Sequence, residues 1–257
     1  MTMGALHEGH LSLARTLRAD VDELVATIFV NPLQFDDPKD LERYPRTLEK
    51  DQQVLASVGV DVLFAPDPST MYPEGEPVVT VSAGHLGEVL EGRARPGHFD
   101  GVLTVVSTLF HMTSPDVAIF GEKDAQQLIA IRRMVKDLAF PVEIVSGPTV
   151  RETDGLALSS RNAFLSPEQR ERALSLSRAL SSAVERAHVG DDVSACLAHG
   201  RRALATAEGF TLDYLVAIHP DTAMEVGPEY RGEVIFAIAA QVGEIRLIDN
   251  MHATVGS

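Results

Sequence analysis

The stretch Thr2–His10, TMGALHEGH, places two glycines and two histidines at the start of a helical pattern. A turn of this kind usually follows a buried strand, and its small residues let backbone N–H groups approach a phosphate at a helix N-terminus. His7 and His10 are three residues apart, so on a first helical turn they share a face and can both donate to phosphate oxygens. Two alternatives stay open, which are a two-histidine metal site and a pair of surface histidines.

Downstream of this turn, short apolar runs alternate with helical patterns over the first half of the chain. Continuous apolar runs indicate strands buried on both faces, and their alternation with helices is typical of βαβ units with a parallel sheet. The predicted strands are 24–30, 60–66, 78–82, 116–121 and 142–146, and the predicted helices are 10–19, 48–59, 101–112 and 124–139.

The second half has a different organisation. Ser166, Pro167 and Gln169 form the capping signature of a helix over 166–187, and a second helix is predicted over 193–207. Three strands then follow closely, at 211–218, 233–242 and 244–250. Helices followed by clustered strands indicate a small α+β domain with a largely antiparallel sheet, and we place the boundary near 147–150.

Charge and cysteine content exclude several classes of protein. The 257 residues carry a formal net charge of -15, which is the opposite of the balance in proteins that neutralise nucleic-acid phosphates. The single cysteine, Cys196, excludes an intrachain disulfide and multi-cysteine zinc sites, and it is expected to be a packing residue rather than a catalytic thiol. With no signal segment and no run of membrane-spanning length, the expected protein is cytoplasmic, with neither a nucleic acid nor a membrane as partner.

Two further stretches carry phosphate-handling residues. FGEKDAQQ, 120–127, lies where a predicted strand meets a helix, at the sheet edge where open α/β folds bind ligands. There Lys123 can neutralise a phosphate, and Asp124 can cap the helix or bind a sugar. In DGLALSSRN, 154–162, two hydroxyls and the Arg161 guanidinium suit a polyphosphate tail. The alternative for both stretches is an ordinary polar helix start or loop.

Neutral and charged side chains in three other segments are candidates for substrate contacts. Gln34 follows a strand in VNPLQF and can orient a carboxylate or hydroxyl by hydrogen bonds. Arg95 and His98 flank a Pro-Gly turn, where His98 is more often structural than catalytic. Asp51 is a candidate magnesium ligand, and the alternative is a solvated helix face.

Several common catalytic signatures are absent from the sequence: G-x-S-x-G, the P-loop, H-E-x-x-H and G-x-G-x-x-G. Phosphate-handling groups without a P-loop or a clear covalent nucleophile suit a nucleotidyl-transferring enzyme that works by positioning and charge neutralisation.

Six motifs resemble one known family in their order and rough spacing: TMGALHEGH, IFVNPLQF, YPRTLEKD, EGRARPGHFDGV, FGEKDAQQL and DGLALSSRN. They resemble the pantoate–β-alanine ligase (pantothenate synthetase) family, within the cytidylyltransferase-like nucleotidyltransferases, and RLIDN at 246–250 also matches. The resemblance implies a Rossmann-like parallel-sheet domain over 1–149 and a small α+β lid domain over 150–257. It further implies ATP-dependent condensation of (R)-pantoate with β-alanine through pantoyl adenylate, with release of AMP and pyrophosphate, in coenzyme A biosynthesis. Mg²⁺ and a homodimer are implied as well.

The resemblance also assigns roles to individual residues. His10 is the implied general acid, and His7, Lys123 and Arg161 share the charge of the transition state. Pantoate is implied at Gln34 and Gln127, β-alanine near Gln34, and magnesium at Asp51. The implied ATP residues are Met3, Gly4, His7, Gly9, His10, Gly121, Glu122, Lys123, Asp124, Val150, Leu158, Ser159, Ser160 and Arg161.

One departure from the family concerns the segment ahead of the turn. Relatives are expected to have a helix, a strand and a proline before the threonine, whereas Met1 stands at the proline position here. We therefore expect the first strand of the sheet to be missing, with unpaired ladder groups, lower stability and lower activity than in a form that has the strand. Two other functions stay open, which are a nucleotidyltransferase that stops after nucleotide transfer and an inactive protein that binds ATP or pantoate.

Overall fold

A computed structural model describes residues 2–35, 41–42, 44–205 and 209–256 of the chain. These residues form two compact units. One comprises Met1–Glu122 and Gln126–Pro148, and the other comprises Lys123–Ala125 and Thr149–Ser257. Lys123 thus belongs to the second unit, although its sequence neighbours on one side belong to the first. The sequence predicts two domains with a boundary after residue 149. A domain is a unit that folds independently, so this division stays a prediction.

Helices and short parallel strands alternate in the first unit, as the apolar pattern predicts. Its strands are β1 (Val25–Thr27), β2 (Val62–Phe64), β3 (Val117–Gly121) and β4 (Glu143–Gly147). Its helices are α1 (Glu8–Arg18), α2 (Leu48–Ser57), α3 (Pro68–Met71), α4 (Leu90–Ala94), α5 (His98–Thr113) and α6 (Ala125–Asp137), with 3-10 turns at Pro32–Gln34, Gly84–Gly87 and Glu122–Asp124.

The four strands form two separate parallel pairs among the described residues. β1 pairs with β2 from Val25 opposite Val62 to Thr27 opposite Phe64. β3 pairs with β4 from Val117 opposite Glu143 to Gly121 opposite Gly147. The parallel α/β class is therefore confirmed.

The predicted strand at 78–82 is wrong, because this segment is an irregular loop. Val78 is 100% exposed and Val79 is 86% exposed, so the apolar run is not buried. Further along, the N–H groups of Val81 and Ala83 donate to side chains of α5, Thr104 Oγ1 at 3.0 Å and Asp100 Oδ1 at 2.7 Å. The backbone of this segment thus bonds to helix side chains instead of to a strand.

The core of the first unit is built on α5, whose apolar residues are buried from Phe99 to Phe110. Val102, Leu103, Val106 and Leu109 pack in one cluster with Ile131 of α6. Gly101, at the start of α5, lies against the Pro32–Gln34 turn, where an added Cβ would be 2.2 Å from the carbonyl oxygen of Leu33. Only a glycine permits this approach, which fixes the turn that carries Gln34.

The second unit contains the two long helices and the antiparallel sheet that the sequence predicts. Its elements are a 3-10 turn at Ser160–Phe164, α7 (Pro167–His188), α8 (Val193–Leu204), β5 (Thr211–Ile218), β6 (Gly232–Val242) and β7 (Ile245–Val255). The capping box is confirmed, since Gln169 N donates to Ser166 Oγ at 3.2 Å and Ser166 N donates to Gln169 Oε1 at 2.9 Å. The predicted end of the second helix, at 206–207, lies outside the described residues.

The sheet order in the second unit is β5-β6-β7, with both pairings antiparallel. Apolar residues of α7 and β6 pack together, including Leu176, Leu180, Phe236 and Ile238, each at most 1% exposed. Within the described residues, no helix is long and apolar enough to cross a membrane.

Candidate active site

The predicted site residues are divided between the two units. The first unit holds Met3, Gly4, His7, Gly9, His10, Gln34, Asp51, Gly121, Glu122 and Gln127. The second holds Lys123, Asp124, Val150, Leu158, Ser159, Ser160 and Arg161.

The turn before α1 has an unusual backbone conformation. Gly4 has φ +90° and Ala5 has φ +53°, so two successive residues lie in the left-handed region. An added Cβ on Gly4 would lie 3.1 Å from Asp51 Oδ2. This close approach, in addition to the positive φ, favours glycine at this position. Alanine in this region is strained, and such strain persists only where surrounding contacts hold it.

Asp51 supplies those contacts from the first turn of α2. Its Oδ2 accepts a hydrogen bond from Ala5 N at 3.0 Å, and its Oδ1 accepts one from Leu6 N at 2.9 Å. Thr47 Oγ1 donates to Oδ2 at 3.0 Å, and the whole residue is 1% exposed. A buried carboxylate that accepts several N–H and O–H bonds is strongly held, so Asp51 fixes the shape of the turn.

This arrangement differs from the expectation that the N–H groups of the turn face a phosphate. Gly4 N donates to Thr2 Oγ1 at 3.2 Å, the next two N–H groups bind Asp51, and His7 N donates to His10 Nδ1 at 3.3 Å. Among the described residues, no acceptor is assigned to the N–H groups of Glu8 and Gly9. An anion at this site would therefore meet the first turn of α1 rather than the preceding loop.

The two histidines are brought together, as their spacing predicts. His7 is the N-cap of α1, His10 is in its first turn, and the ring centroids are 4.1 Å apart. Because His10 Nδ1 accepts the hydrogen bond from His7 N, a neutral His10 carries its proton on Nε2. The Nε2–H group is then the hydrogen-bond donor of the ring.

The contacts of Asp51 suggest a variant that distinguishes its two possible roles, which are anchor of the turn and ligand of a metal. Asp51→Asn replaces one acceptor oxygen by an NH₂ group that faces N–H donors. We expect kcat/KM for ATP to fall by about 10–100-fold, the loss associated with one or two charged hydrogen bonds. The measurement is steady-state kinetics across a range of Mg²⁺ concentrations.

The control is Glu49→Gln, an exposed carboxylate in the same turn of α2, which should leave kcat/KM unchanged. A loop anchor predicts that the Asp51→Asn defect persists at saturating Mg²⁺. Full recovery at high Mg²⁺ would instead assign Asp51 to the metal.

Gln34 is held at the end of the Pro32–Gln34 turn by a residue that the sequence reasoning missed. Asn31 Nδ2 donates to Gln34 Oε1 at 3.0 Å and to the Gly101 carbonyl oxygen at 3.1 Å. Tyr72 Oη donates to Asn31 Oδ1 at 2.9 Å, and burial raises the pKa of Tyr72 to about 12, so it stays a neutral donor. The sequence signal at Asn31 is its place before a proline, and that signal predicts only a turn.

Arg95 and His98 also hold Gln34, through its backbone. Arg95 Nη2 donates to the Gln34 carbonyl oxygen at 3.1 Å, and His98 Nδ1 lies 3.0 Å from the same oxygen. Arg95 Nη1 lies 3.0 Å from His98 Nε2, and since the guanidinium can only donate, His98 carries its proton on Nδ1. With His98 8% exposed, these contacts agree with a structural role.

The neighbouring glutamines at the start of α6 have different environments. Gln126 is 5% exposed, its Nε2 donates to the carbonyl oxygens of Leu86 and Val89 at 2.7 and 2.9 Å, and its Oε1 accepts from Glu91 N at 3.0 Å. Gln127 is half-buried. Gln126 therefore holds the 86–91 segment, whereas the Gln127 side chain forms no hydrogen bond within the described residues.

A recess in the second unit gathers the other predicted phosphate-binding groups. Its lining includes Lys123, Ser159, Arg161, Asn162 and Asp249. Two cations and a hydroxyl around one recess suit an anionic ligand. Asn162 Oδ1, which is buried and unpartnered within the described residues, adds an acceptor to which the sequence reasoning had assigned no role.

The segment that carries Ser159 is a fixed hairpin rather than an open loop. Leu158 N donates to the Val150 carbonyl oxygen at 2.9 Å, and Glu152 N donates to the Leu156 carbonyl oxygen at 2.8 Å. Arg170 of α7 bridges Glu152 at 2.7 Å and Asp154 at 2.6 Å, and its guanidinium lowers the pKa of the Glu152 carboxyl. These hydrogen bonds and ion pairs thus fix the base of the hairpin that carries Ser159 and Arg161.

A buried ion pair joins the same hairpin to β7. Arg151 Nη1 donates to Asp249 Oδ2 at 2.7 Å and Nη2 donates to Oδ1 at 2.9 Å. The Asp249 side chain is 4% exposed and that of Arg151 is 24% exposed. The bidentate pair neutralises the one carboxylate among the recess residues named above, which favours an anionic ligand there.

Cys196 is a packing residue in α8, as predicted. It is fully buried, and burial, with smaller contributions from Asp191 and Asp192, raises the pKa of its thiol to about 11. The reactive thiolate is then scarce at neutral pH.

We expect no reaction of the native protein with a thiol reagent at pH 7.5, and one thiol per chain after unfolding in guanidinium. Rapid labelling of the native chain would contradict this prediction.

Within the described ranges, no group of three or more His, Cys, Asp or Glu side chains could hold a metal ion. The alternative of a metal site built on His7 and His10 gains no third ligand from these residues.

Comparison with known proteins identifies the family. A sequence profile described as Pantoate-beta-alanine ligase matches residues 1–252. The chain belongs to the pantoate-beta-alanine ligase family. It is an enzyme of the ligase class, and its reaction is the ligation of pantoate to β-alanine.

Relatives in this family match over nearly the whole chain. A pantothenate synthetase from Thermobifida fusca is 51% identical over 263 residues, covering 99% of this chain and 88% of that protein. The crystal structure of pantothenate synthetase from Thermus thermophilus superposes with a TM-score of 0.91 at 50% identity, covering 97% of this chain and 90% of that one. The ligase from Francisella tularensis, solved as a complex with Beta-gamma ATP and beta-alanine, gives a TM-score of 0.76 at 37% identity, with 97% and 87% coverage.

Proposed function

We propose that this ligase works in two steps with ATP as the activating substrate. The carboxylate of (R)-pantoate attacks the α-phosphorus of ATP, which forms pantoyl adenylate and releases pyrophosphate. The amine of β-alanine then attacks the activated carbonyl carbon, which forms pantothenate and releases AMP. A carboxylate is already nucleophilic at neutral pH, so the chain needs no activated serine or cysteine. This requirement agrees with the buried thiol of Cys196.

The observation that carries the proposal is the tautomer of His10. Its Nδ1 accepts the hydrogen bond from His7 N, which leaves Nε2–H as a donor in the first turn of α1. In the proposal, this donor and the N–H groups of Glu8 and Gly9 stabilise the negative charge that develops on the phosphate. Preorganised donors of this kind reduce the barrier because they need not reorient during the reaction.

In the second unit, Lys123 and Arg161 are proposed to bind the phosphates that leave as pyrophosphate. Both cations line one recess with Ser159, Arg151 neutralises Asp249, and Lys123 also lies 3.7 Å from the Asp124 carboxylate, from which it would turn to the ligand. Spreading charge over the leaving oxygens is the main contribution that a protein makes to phosphoryl and nucleotidyl transfer.

Gln34 and Gln127 are proposed to bind pantoate, with β-alanine near Gln34. A neutral amide can hold a carboxylate without pairing it with a full positive charge, so the nucleophile keeps its reactivity. Gln34 is suited to this role because Asn31 fixes its Oε1 and thereby orients its NH₂ group.

We propose that Mg²⁺ accompanies ATP as a counter-ion for the phosphates, as the resemblance to the family implies. The residues present do not favour Asp51 as its direct ligand, because both carboxylate oxygens already accept hydrogen bonds at 2.9–3.0 Å inside a 1% exposed site. The assignment of magnesium to Asp51 stays a prediction, and no step here depends on it.

AMP formation tests the proposed reaction. The chain is incubated with ATP and Mg²⁺, with pantoate and β-alanine added singly and together. The proposal expects AMP release only when both are present, and pyrophosphate release with pantoate alone limited to about one equivalent of enzyme. Repeated transfer of AMP to pantoate without β-alanine, with pyrophosphate release well beyond one equivalent of enzyme, would indicate a nucleotidyltransferase, and ATP binding without turnover would indicate a binding protein.

We also propose that the enzyme is a cytoplasmic homodimer, as the family implies. Sedimentation equilibrium of the purified chain tests the dimer, and a single species at the monomer mass would contradict it. Fractionation of the source cells tests the location.

A further inference from the structure

A three-residue segment, Lys123–Ala125, belongs to the second unit, although Glu122 and Gln126 on either side belong to the first. The segment carries Lys123, whose side chain is 19% exposed and lines the recess together with Arg161. The contacts that attach this segment to the second unit therefore determine which positions in the recess the Lys123 ammonium group can reach.

Asn250 of β7 makes one of these contacts, and it does so with the main chain of Lys123. Asn250 Nδ2 donates to the Lys123 carbonyl oxygen at 2.8 Å, and Asn250 is 5% exposed. Because a carbonyl oxygen can only accept a hydrogen bond, the nitrogen of the amide and not its oxygen must face Lys123. The contact ties the backbone of this lysine to a strand that lies 127 residues later in the chain.

Asn250 is itself held firmly. It lies in the middle of the β6–β7 ladder, opposite Ala237. Its carbonyl oxygen accepts a hydrogen bond from Arg151 Nη2 at 3.2 Å, and the same guanidinium forms the bidentate pair with Asp249. Asn250 is therefore a fixed point from which the position of Lys123 can be set.

Two successive residues of β7 thus anchor the two segments that bring cations to the recess. Asp249 binds Arg151, which forms an antiparallel bridge with Ala157 at the base of the hairpin that carries Arg161. Asn250 binds the segment that carries Lys123. Since both anchors are neighbours in one strand, they hold the two cations in a fixed relation to each other.

A fixed backbone matters for Lys123 because its side chain is long and flexible. A lysine ammonium group is a point charge at the end of a four-carbon stem with many rotamers. Fixing the carbonyl group of Lys123 fixes the origin of that stem, so less conformational freedom is lost when the ammonium group binds a phosphate. A charge that is already in place also needs less rearrangement as the reaction proceeds.

We propose that Asn250 is a positioning residue for the phosphate-binding lysine of this enzyme. The inference rests on the proposed role of Lys123, which is to bind the phosphates that leave as pyrophosphate. Asn250 touches no substrate and acts through the backbone of Lys123. It should therefore affect the affinity for ATP, which carries the β- and γ-phosphates, and not the affinity for AMP, which lacks them.

The test compares Asn250→Leu and Asn250→Ala in the complete chain. Calorimetry measures Kd for ATP and for AMP with Mg²⁺ and without pantoate, so that no turnover occurs. We expect Kd for ATP to rise about 3–10-fold in both variants, the usual net effect of one hydrogen bond, and Kd for AMP to stay unchanged. The control is His252→Ala, an exposed residue of β7, which should change neither value.

Two results of this comparison would overturn the inference. Equal weakening of ATP and AMP would show general damage to the second unit instead of an effect on the β- and γ-phosphates. Normal ATP affinity in Asn250→Leu, with a loss only in Asn250→Ala, would show that the size of the side chain matters and its hydrogen bond does not.

A double-mutant cycle shows whether Asn250 acts through Lys123. Lys123→Ala should weaken ATP binding, and adding Asn250→Leu to it should weaken binding no further, because the group that Asn250 positions is already gone. Full additivity of the two changes would overturn the inference and leave the role of Lys123 intact. Unchanged ATP affinity in Lys123→Ala would instead refute the proposed role of Lys123, and the inference would fall with it.

Discussion

His10→Ala is expected to lower kcat for AMP formation by about 10²–10³-fold, the effect of removing one preorganised donor to a developing oxyanion. The reason is the loss of the Nε2–H group that the His7 N to Nδ1 hydrogen bond fixes in place. KM for ATP should change much less, since the donor acts mainly on the charge of the transition state. Steady-state assays with both co-substrates measure the two parameters.

Two isosteric variants distinguish the chemical role of His10 from its role in the turn. His10→Asn keeps an acceptor near the Nδ1 position for His7 N, but it lacks a donor at Nε2. His10→Gln places an amide near Nε2 and loses the acceptor. If charge stabilisation dominates, the glutamine variant retains more activity than the asparagine variant. The reverse order would assign the effect of His10 to the shape of the turn.

The control for general histidine loss is His188→Ala, at the exposed end of α7, which should retain full activity. An alanine variant of His10 with more than about a third of the normal kcat would refute the catalytic role, since the expected loss is at least 10²-fold.

Asp249→Ala is expected to lower the free energy of unfolding by about 3–5 kcal/mol, the usual effect of removing one member of a buried pair. The Asp249 side chain is 4% exposed, so its loss leaves the Arg151 guanidinium without its carboxylate in a place where the Arg151 side chain is only 24% exposed. Arg151 would keep its bonds to the carbonyl oxygens of Gly155 and Asn250, at 3.1 and 3.2 Å, which carry no full negative charge. Urea unfolding with a linear extrapolation measures the change.

The matched control is Glu171→Ala in α7, which breaks an exposed pair with Arg178 whose side chains are 67% and 62% exposed. That change should cost about 0–1 kcal/mol. A double variant, Arg151→Met with Asp249→Leu, removes both charges and should be more stable than Asp249→Ala alone. If the double variant were less stable than the single one, the cost would lie in packing and not in the orphaned charge.

The sequence predicts most of the regular structure because local signals agree with the final packing. The helix over Pro167–His188 begins at its capping box, and the strands over 211–250 appear where apolar runs lie between turns. The segment 78–82 is the exception, since its valines favour a strand and its neighbouring prolines and glycine place it on the surface. Its later N–H groups find partners in Thr104 and Asp100, which no local pattern indicates.

For the candidate site, spacing along the chain predicts local groups but not contacts between distant segments. The pairing of His7 with His10 follows from three-residue spacing. The bonds from Ala5 and Leu6 to Asp51 join segments about 46 residues apart, and the Arg151–Asp249 pair joins residues 98 apart. Such contacts depend on how the helices and strands dock, so the sequence suggests a metal or a solvated face for Asp51 and leaves Asp249 without a role.

Asp51 of α2 holds the turn before α1, so local opening of this one short helix affects catalysis. Ala5 keeps its left-handed backbone while α2 is docked, and a transient detachment of α2 releases two hydrogen bonds at once. Local openings of this kind need less free energy than global unfolding. We therefore expect the enzyme to inactivate on heating at a lower temperature than that at which its cores melt, and the interval between the two temperatures would report the stability of α2 itself.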